Sequence, residues 1–177
     1  VAGGWQVMLD ARGVKTVGGA PQAVPTEALG EALAAEWRQQ GETIDPASLP
    51  MRDIADYAID IVAADPHAIA LGLVAYAETD TLCYRADPDE PLYERQQAEW
   101  EPLLCAFEAA HRITLVRVSG VLHRPQPHEA LAVLQRRLEV LDPFTLAAAE
   151  AMTKLAASLV TAPVSYTHLT LPTNREV

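Results

Sequence analysis

The stretch AETDTLCYRA, residues 77–86, concentrates reactive side chains in one short segment. It contains Glu78, Asp80, Cys83, Tyr84 and Arg85. Carboxylates beside a thiol, a phenol and a guanidinium are the groups that general acid–base and nucleophilic catalysis use. The same groups would also suit a structural seam, meaning a polar row of side chains that holds helices in register, or a face that binds another protein.

The spacing within this stretch favours the structural seam over a catalytic site. On a helix, Asp80 continues an apolar row that begins at Leu73 and Tyr76, whereas Glu78 points elsewhere. The two carboxylates are therefore badly placed to cooperate. A buried Asp80 needs a partner, either the end of a neighbouring helix or Arg85. We expect Cys83 to be a small buried hydrophobe.

Two histidines supply the other candidate chemistry. His123 and His128 lie five positions apart in HRPQPH, and a small hydrolase or transferase could use them with Glu78 and Asp80. A metal site needs further carboxylate, histidine or cysteine ligands, and this loop offers only Glu129. No phosphate-binding or hydrolase motif occurs. We therefore predict no catalytic residues, no metal and no cofactor.

The composition narrows the classes of partner. The formal net charge of -11 over 177 residues argues against binding to nucleic acid and to anionic membrane surfaces. Half of the residues are hydrophobic, which is enough for a folded core, yet no apolar run reaches the roughly 18 residues of a membrane span. Two cysteines do not form a disulfide framework. We expect no membrane insertion and a monomer.

Charged residues are concentrated between Glu78 and Glu101, where eight acids accompany two arginines and the aromatic residues Tyr93 and Trp100. Such a run is usually a solvated helix face. Aromatic side chains among charges are also typical of protein-binding surfaces. The residues predicted to bind a partner or to form the structural seam are Glu78, Asp80, Arg85, Tyr93 and Trp100.

A second acidic face is predicted on the next helix upstream. It consists of Asp53, Asp56 and Asp60, and it lies opposite an apolar row formed by Met51, Ile54, Ala58 and Val62.

The pattern of elements predicts an α+β fold, in which a small N-terminal antiparallel β portion precedes a larger, mainly helical domain. Period-two sequence gives strands in WQVMLD, VKTV and QAV, with ARG as a turn. Thr26 is a predicted N-cap. Four Asp-Pro pairs mark helix boundaries, and helices are predicted near 51–63, 66–83, 89–110 and 143–161 and from Pro127. The predicted domains are a β remnant at 1–25, a helical domain at 26–163 and a non-native tail at 164–177.

Five ordered segments together resemble a known family. They are WQVMLDARGVKTVGGAPQAVPTEALGEALAAEW, GETIDPASLPMRDIADYAID, AYAETDTLCYRA, RQQAEWEPLL and LDPFTLAAAEAMTKLAASLV. They are similar to segments of the assembly chaperones that bind the alpha subunit of the soluble head of ATP synthase. The family's further helical segment after Thr161 has no counterpart in VSYTHLTLPTNREV, so the resemblance implies that part of the working surface is missing.

The resemblance implies a protein that is not an enzyme and has no cofactor. Such a chaperone would bind the unassembled alpha subunit and shield its beta-subunit interface until the ring assembles. An apolar interface of an unassembled subunit is prone to aggregation, and covering it suppresses this. The composition is rich in alanine and poor in lysine, which suggests a bacterial gene and hence the cytoplasm, whereas the resemblance implies the mitochondrial matrix for a eukaryotic chain. A small hydrolase or transferase and a structural adaptor domain are the alternatives.

Overall fold

The computed structural model describes residues 4–120 and 122–162. The described residues form two compact units, one containing 4–66 and 142–148 and the other containing 67–120, 122–141 and 149–162. The first holds short antiparallel strands followed by helices, and the second is mainly helical. The predicted α+β class is confirmed. The predicted domain boundary after residue 25 stays a prediction, and the predicted tail lies outside the described residues.

The N-terminal β portion consists of four two-residue strands. They are β1 (Trp5–Gln6), β2 (Met8–Leu9), β3 (Arg12–Gly13) and β4 (Ala23–Val24). Strand β1 pairs with β4, and β2 pairs with β3, both antiparallel. The predicted strand at QAV is confirmed. The second strand lies earlier in the chain than predicted, because β3 falls on the predicted ARG turn. Beyond β3, Lys15 and Pro21 form an isolated antiparallel bridge.

Helix α1 (Glu27–Arg38) follows the strands and covers their apolar side. Thr26 caps it as predicted, because its side chain accepts a hydrogen bond from the Leu29 N–H at 3.2 Å. Leu33 is almost completely buried against the valines of the β portion. The core cluster of this unit contains Val7, Val14, Val24, Leu33 and Ala55, with Leu29, Ala34, Trp37 and Phe144 packed at its edge.

Helix α2 (Pro50–Tyr57) continues into a π-helical turn at Ala58–Val62. The three acids of the predicted acidic face do not share one environment, because Asp53 is exposed whereas Asp56 and Asp60 are bonded to the β portion. Asp56 is buried and accepts hydrogen bonds from the Gln22 side chain and the Val17 N–H, and it pairs with Arg52 at 3.2 Å. Asp60 accepts from the Thr16 hydroxyl and the Gly18 N–H, both at 2.8 Å. These carboxylates hold the β turn in place.

The apolar side of α2 is also only partly as predicted. Ala58 and Val62 are fully buried, whereas Met51 and Ile54 are exposed. The prediction failed for these two residues because the inward position on the helix is taken by Asp56, whose donors lie in the β portion far along the chain.

The second unit begins with α3 (Pro66–Glu78), which is followed by a 3₁₀ turn (Thr81–Cys83) and strand β5 (Tyr84–Arg85). The predicted helix over 66–83 is therefore too long. Strand β5 pairs in parallel with β6 (Val118–Ser119), the only regular strand described in RITLVRVSGVL. Helices α4 (Pro91–His111) and α5 (His128–Leu138) follow in this unit, and the residues of α6 (Pro143–Ala156) are divided between the two units after Ala148.

Asp-Pro pairs mark helix starts as predicted at two places with observed caps. The Asp45 carboxylate accepts from the Ala47 N–H at 3.1 Å, and that of Asp142 accepts from the Phe144 N–H at 3.0 Å. Asp87-Pro88 instead precedes α4 by a short loop, since the N-cap of α4 is Glu90. Among the described residues, no single helix is long and apolar enough to cross a membrane; segments 50–62 and 66–83 would reach that length only together, across the break between them.

Candidate functional site

Asp80 is a completely buried hydrogen-bond acceptor. Helix α3 ends at Glu78, and the Asp80 side chain caps the 3₁₀ turn by accepting from the Leu82 N–H at 3.0 Å. It also accepts from the Ser158 hydroxyl at 2.8 Å and from the Val160 N–H at 3.1 Å. The predicted position on an apolar helical row was wrong. As predicted, Asp80 accepts hydrogen bonds from the end of another helix, since Ser158 and Val160 directly follow α6.

Thr81 strengthens the same junction. Its N–H and its hydroxyl both donate to the Ala157 carbonyl, at 3.2 and 2.8 Å. Burial raises the pKa of Asp80, and the hydrogen bonds from Val160, Ser158 and Leu82 oppose that rise. Cys83, next to this junction, is buried as predicted, and burial together with the nearby Asp80 raises its pKa to about 12. A thiol in that state is a poor nucleophile at neutral pH.

Arg85 is the centre of a second cluster, which we call the Arg85–Glu101 network and which contains Arg85, Gln97, Glu101, Glu108 and Arg117. The Arg85 side chain is 1% exposed. It donates to the Leu82 carbonyl, to the Gln97 side chain and to Glu101, the last at 2.9 Å. A buried guanidinium with its donors satisfied in this way is a fixed structural element.

Arg117 completes the network from the other side of Glu101. It donates to Glu101 at 2.7 Å and also pairs with Glu108. The hydrogen bond from Arg117 holds the pKa of Glu101 below its usual value, against the opposing effect of burial. Burial lowers the pKa of Arg117, but its bonds to Glu108 and Glu101 outweigh this and raise it. Both groups are therefore charged across the neutral range.

The two predicted aromatic residues belong to this cluster. The Trp100 ring lies 5.8 Å from the Arg85 guanidinium carbon, within cation–π range. The Tyr93 hydroxyl accepts from the Gln97 side chain at 3.0 Å. Both aromatic side chains are half-buried on α4 and keep part of their surface in solvent. The structure thus brings Tyr93 and Trp100 together around the buried Arg85 side chain.

Glu78 belongs to a different cluster. Its carboxylate accepts from the Gln126 N–H at 3.3 Å and lies 3.7 Å from His123 Nε2. His123 Nδ1 is 2.8 Å from the Tyr84 hydroxyl. The hydrolase alternative required Glu78, Asp80, His123 and His128 to converge. Glu78 and His123 do meet, but Asp80 is bonded to Ser158 and Val160 instead, and the described residues hold no group of three or more metal-ligating side chains.

Comparison with known proteins identifies the family. The model of the ATP12 chaperone protein family matches residues 1–108. Atp12 from Paracoccus denitrificans has 37% sequence identity and a TM-score of 0.88, and the match covers 96% of this chain and 72% of that one. The chain belongs to the ATP12 chaperone family.

Two further solved structures agree with membership of the ATP12 family. A point mutant of the Paracoccus denitrificans protein gives a TM-score of 0.89 with the same identity and coverage. A candidate chaperone from Agrobacterium tumefaciens is 34% identical with a TM-score of 0.87, and the match covers 96% of this chain and 64% of that one. The resemblance inferred from the sequence is confirmed at the level of the family. The structural likeness extends beyond the region matched by the ATP12 family model.

Sequence reasoning did not single out three members of the Arg85–Glu101 network, namely Gln97, Glu108 and Arg117. The signal for part of it was present, because Tyr93, Gln97, Glu101 and Cys105 recur every four residues and so share one face of α4. Arg117 carried no such signal, since it reaches this face from the loop before β6.

Proposed function

We propose that this chain is an assembly chaperone that binds the unassembled alpha subunit of ATP synthase. It would shield the surface that this subunit later offers to the beta subunit, and it would release the subunit when the ring assembles. No catalysis and no cofactor are needed, because a competitor with better complementarity can displace the chaperone. The proposed location is the bacterial cytoplasm, or the mitochondrial matrix for a eukaryotic chain, and the proposed state is a monomer.

One observation carries the proposal: membership of the ATP12 chaperone family, with 37% identity to Atp12 from Paracoccus denitrificans over 96% of this chain. The geometry of Asp80 is consistent with it. A carboxylate completely buried among backbone and hydroxyl donors is engaged in holding the fold rather than in contact with a substrate.

We assign the five predicted residues to three roles. Tyr93 and Trp100 would contact the partner, because both are half-buried and part of each ring is available on α4. Asp80 and Arg85 would keep the surrounding segments in place, since both side chains are satisfied inside the protein. Glu78 would orient His123 and the chain near Gln126. Rigid aromatic side chains supported by buried polar groups are typical of interaction hot spots.

The test is co-expression of the chain with an affinity-tagged alpha subunit and, in parallel, with a tagged beta subunit of a bacterial ATP synthase. We expect soluble alpha subunit to retain the chain on the affinity resin and beta subunit not to retain it. Urea unfolding of the isolated chain establishes that it is folded. If a chain that unfolds cooperatively is recovered with neither subunit, the proposal is wrong and a structural adaptor becomes the better hypothesis.

A pair of substitutions tests the assignment of Trp100. We expect Trp100→Ala to lower recovery of the alpha subunit at least fivefold and Leu155→Ala, at an 89% exposed position, to leave it unchanged. The cation–π interaction between Trp100 and Arg85 is worth only about 1 kcal/mol, so the chain should remain folded without it. Equal recovery with both variants would remove Trp100 from the binding surface.

A further inference from the structure

His111 is a half-buried histidine in the last turn of α4, outside the clusters described above. Its ring packs on that of Phe107, with the two ring centroids 4.4 Å apart and the planes tilted by 50°. Phe107 is only 2% exposed, so this contact belongs to the core of the second unit. The His111 Nδ1 atom is buried and has no hydrogen-bond partner in residues 4–120 or 122–162, which is uncommon for a buried polar atom.

The protonated form of His111 is disfavoured for two reasons. Burial lowers the pKa of His111 below its usual value, because water no longer stabilises the charged ring, and the charge of Arg137 on α5 lowers it further. The C-terminal end of a helix attracts cations, which would raise the pKa, but burial and Arg137 outweigh this attraction. His111 is therefore neutral at pH 7.

The acids near His111 do not compensate a positive charge on its ring. Glu108 lies three residues before it on α4, but this carboxylate is bound to Arg117 and accepts from the Leu115 N–H at 2.6 Å. Glu129 on α5 instead lines an open groove beside this end of α4. Within the described ranges, the histidines that form ion pairs lie elsewhere, so a proton on His111 would add an unpaired charge.

The backbone after His111 depends on the same packing. Arg112 adds a second cation and has φ 55° and ψ 47°, the left-handed region that residues with a side chain seldom adopt. Its N–H and that of Ile113 both donate to the Glu108 carbonyl. The last turn of α4 is thus held by one carbonyl and by the contact between Phe107 and His111, and loss of that contact would release it.

We propose that the last turn of α4 is a pH-sensitive latch, closed while His111 is neutral and opened when its ring is protonated. A proton on Nδ1 creates a buried N–H donor without an acceptor and a cation that Arg137 repels. Opening the turn exposes the ring to water and removes both penalties. Because Glu108 lies in this turn, opening also loosens its bond to Arg117, at one end of the Arg85–Glu101 network. The latch is a property of the isolated chain and goes beyond the function proposed above.

The sign of the pH effect follows from the lowered pKa of His111. A histidine of this kind contributes stability that is present above its unfolded pKa of 6.5 and is lost as the pH falls from there towards the lowered folded value. If the closed form stays neutral, one such histidine increases the open population by about tenfold between pH 7.5 and 5.5. Acidification over this range should therefore open the latch by a factor of roughly three to ten.

The test measures hydrogen exchange of single backbone amides by NMR in the full chain at pH 7.5 and 5.5, corrected for the intrinsic exchange rate at each pH. The Ile113 and Leu115 N–H groups both donate to Glu108, so their protection reports closure of the latch. We expect this protection to fall at least threefold at pH 5.5. The Val160 N–H, which donates to Asp80 in the same unit, should not lose protection, because the opening is local.

Two histidine variants identify the titrating group. In His111→Leu, which cannot be protonated and keeps an apolar side chain beside Phe107, the loss of protection at Leu115 should be less than 1.5-fold. His67→Leu is the matched control and should retain the full loss. His67 is exposed and lies 2.8 Å from Glu139, so its protonated form has a partner in the folded chain.

Two arginine variants test the facing charge while leaving His111 in place. Arg137→Gln should make the loss of protection at Leu115 at least 1.5-fold smaller than in the original chain. Arg136→Gln removes the same charge from the neighbouring exposed position on α5 and should leave the loss unchanged. These two variants decide the question even if His111→Leu does not fold, as shown by urea unfolding.

Titration of the His111 ring by NMR is an independent check, and we expect a midpoint below pH 6.5. Four outcomes would overturn the proposal. They are a midpoint at or above 6.5, equal loss of protection in the original chain and His111→Leu, equal effects of Arg137→Gln and Arg136→Gln, and equal loss of protection at Leu115 and Val160. The last outcome would mean that acid destabilises the whole unit rather than this turn.

Discussion

Asp80 and Glu101 are carboxylates of the same compact unit that are held by opposite kinds of donor. Asp80 is surrounded by neutral groups, namely the Leu82 and Val160 N–H groups and the Ser158 hydroxyl. Glu101 lies between two guanidinium groups, those of Arg85 and Arg117. The pKa of Asp80 is raised, chiefly by burial, and that of Glu101 is lowered, chiefly by the hydrogen bond from Arg117. The neutral donors do not offset the complete burial of Asp80, whereas the Arg117 guanidinium does offset the partial burial of Glu101.

Removal of the Asp80 carboxylate should have the largest effect. Asp80→Ala leaves two buried N–H groups and one hydroxyl without their acceptor, and each unsatisfied group costs about 1–3 kcal/mol. We expect a decrease of about 3 kcal/mol or more in the free energy of unfolding, measured by urea denaturation. Asp53→Ala is the control, because the Asp53 side chain is largely exposed and the substitution removes only its 3.6 Å ion pair with Arg52. A decrease below 1 kcal/mol for Asp80→Ala would show that the junction at 157–160 is not held by this residue.

Substitution of Arg85 tests the charged side of the comparison. Arg85→Met keeps much of the side-chain volume but removes the bonds to Leu82, Gln97 and Glu101. Glu101 retains Arg117, so we expect stability to fall by about 2–3 kcal/mol, at or below the lower end of the range for breaking a buried pair. Arg95→Met is the matched control. Arg95 pairs with Glu99 on the surface of α4, and this exposed ion pair should contribute less than about 1 kcal/mol to the free energy of unfolding. Similar decreases from the two variants would mean that burial of Arg85 adds nothing.

The two carboxylates should give opposite pH dependences. The stability that Glu101 contributes is present above its unfolded pKa of 4.5 and is lost as the pH falls through its lowered folded value. The contribution of Asp80 is present below 3.8 and is lost as the pH rises through its raised folded value. Each group can add a slope of at most about 1.4 kcal/mol per pH unit.

These slopes are measured as differences between the original chain and neutral variants, by urea unfolding from pH 3.5 to 8. The cost of Asp80→Asn should shrink as the pH rises, because the asparagine has no charge to bury. The cost of Glu101→Gln should grow as the pH rises from the acid end, because the ionised Glu101 is what the two arginines stabilise. Slopes of the same sign would contradict the assignment of the two environments.

The sequence predicted what local chemistry controls. The α+β class, the Thr26 cap and the Asp142 cap follow from periodicity and from residue types at helix starts, and the structure contains them. The end of α3 at Glu78 could not be predicted in this way. Leu82 and Cys83 keep the chain apolar beyond it, but the bonds of Thr81 to Ala157 and of Asp80 to Val160 draw the backbone into a different conformation. Those partners lie more than 70 residues away in sequence, where no periodicity reports them.

The residues of the site were easier to predict than the residues to which they are hydrogen-bonded. Arg85, Tyr93 and Trp100 were recognisable as charged and aromatic residues in an acidic run, and they are close together in the structure. Arg117 was not recognisable, because a single arginine in a strand-like segment is ordinary. The same limit applies to α2, where Asp56 was predicted to belong to an acidic face and is instead buried and accepts from Gln22 in the β portion. In each case the missing information was a long-range hydrogen bond.

The smallest predicted effect is on the rates at which the two cysteines react. Cys83 reports on the surroundings of Asp80, and Cys105 reports on those of Glu101. Cys83 adjoins Asp80 and is buried, with a pKa raised to about 12, whereas Cys105 is exposed beside Glu101. The hydrogen bond to Glu101 raises the pKa of Cys105 as well, so its thiolate fraction should be lower than that of an ordinary exposed thiol at the same pH. We expect a disulfide reagent to modify one thiol slowly in the folded chain and the second only in denaturant. Cys105→Ser should abolish the first reaction, and Glu101→Gln should accelerate it by removing the nearby negative charge. Rapid modification of Cys83 in the folded chain would show that the segment around Asp80 opens far more readily than its hydrogen bonds imply. The description of Asp80 as a firmly held, buried carboxylate would then be wrong, and with it the contrast to Glu101.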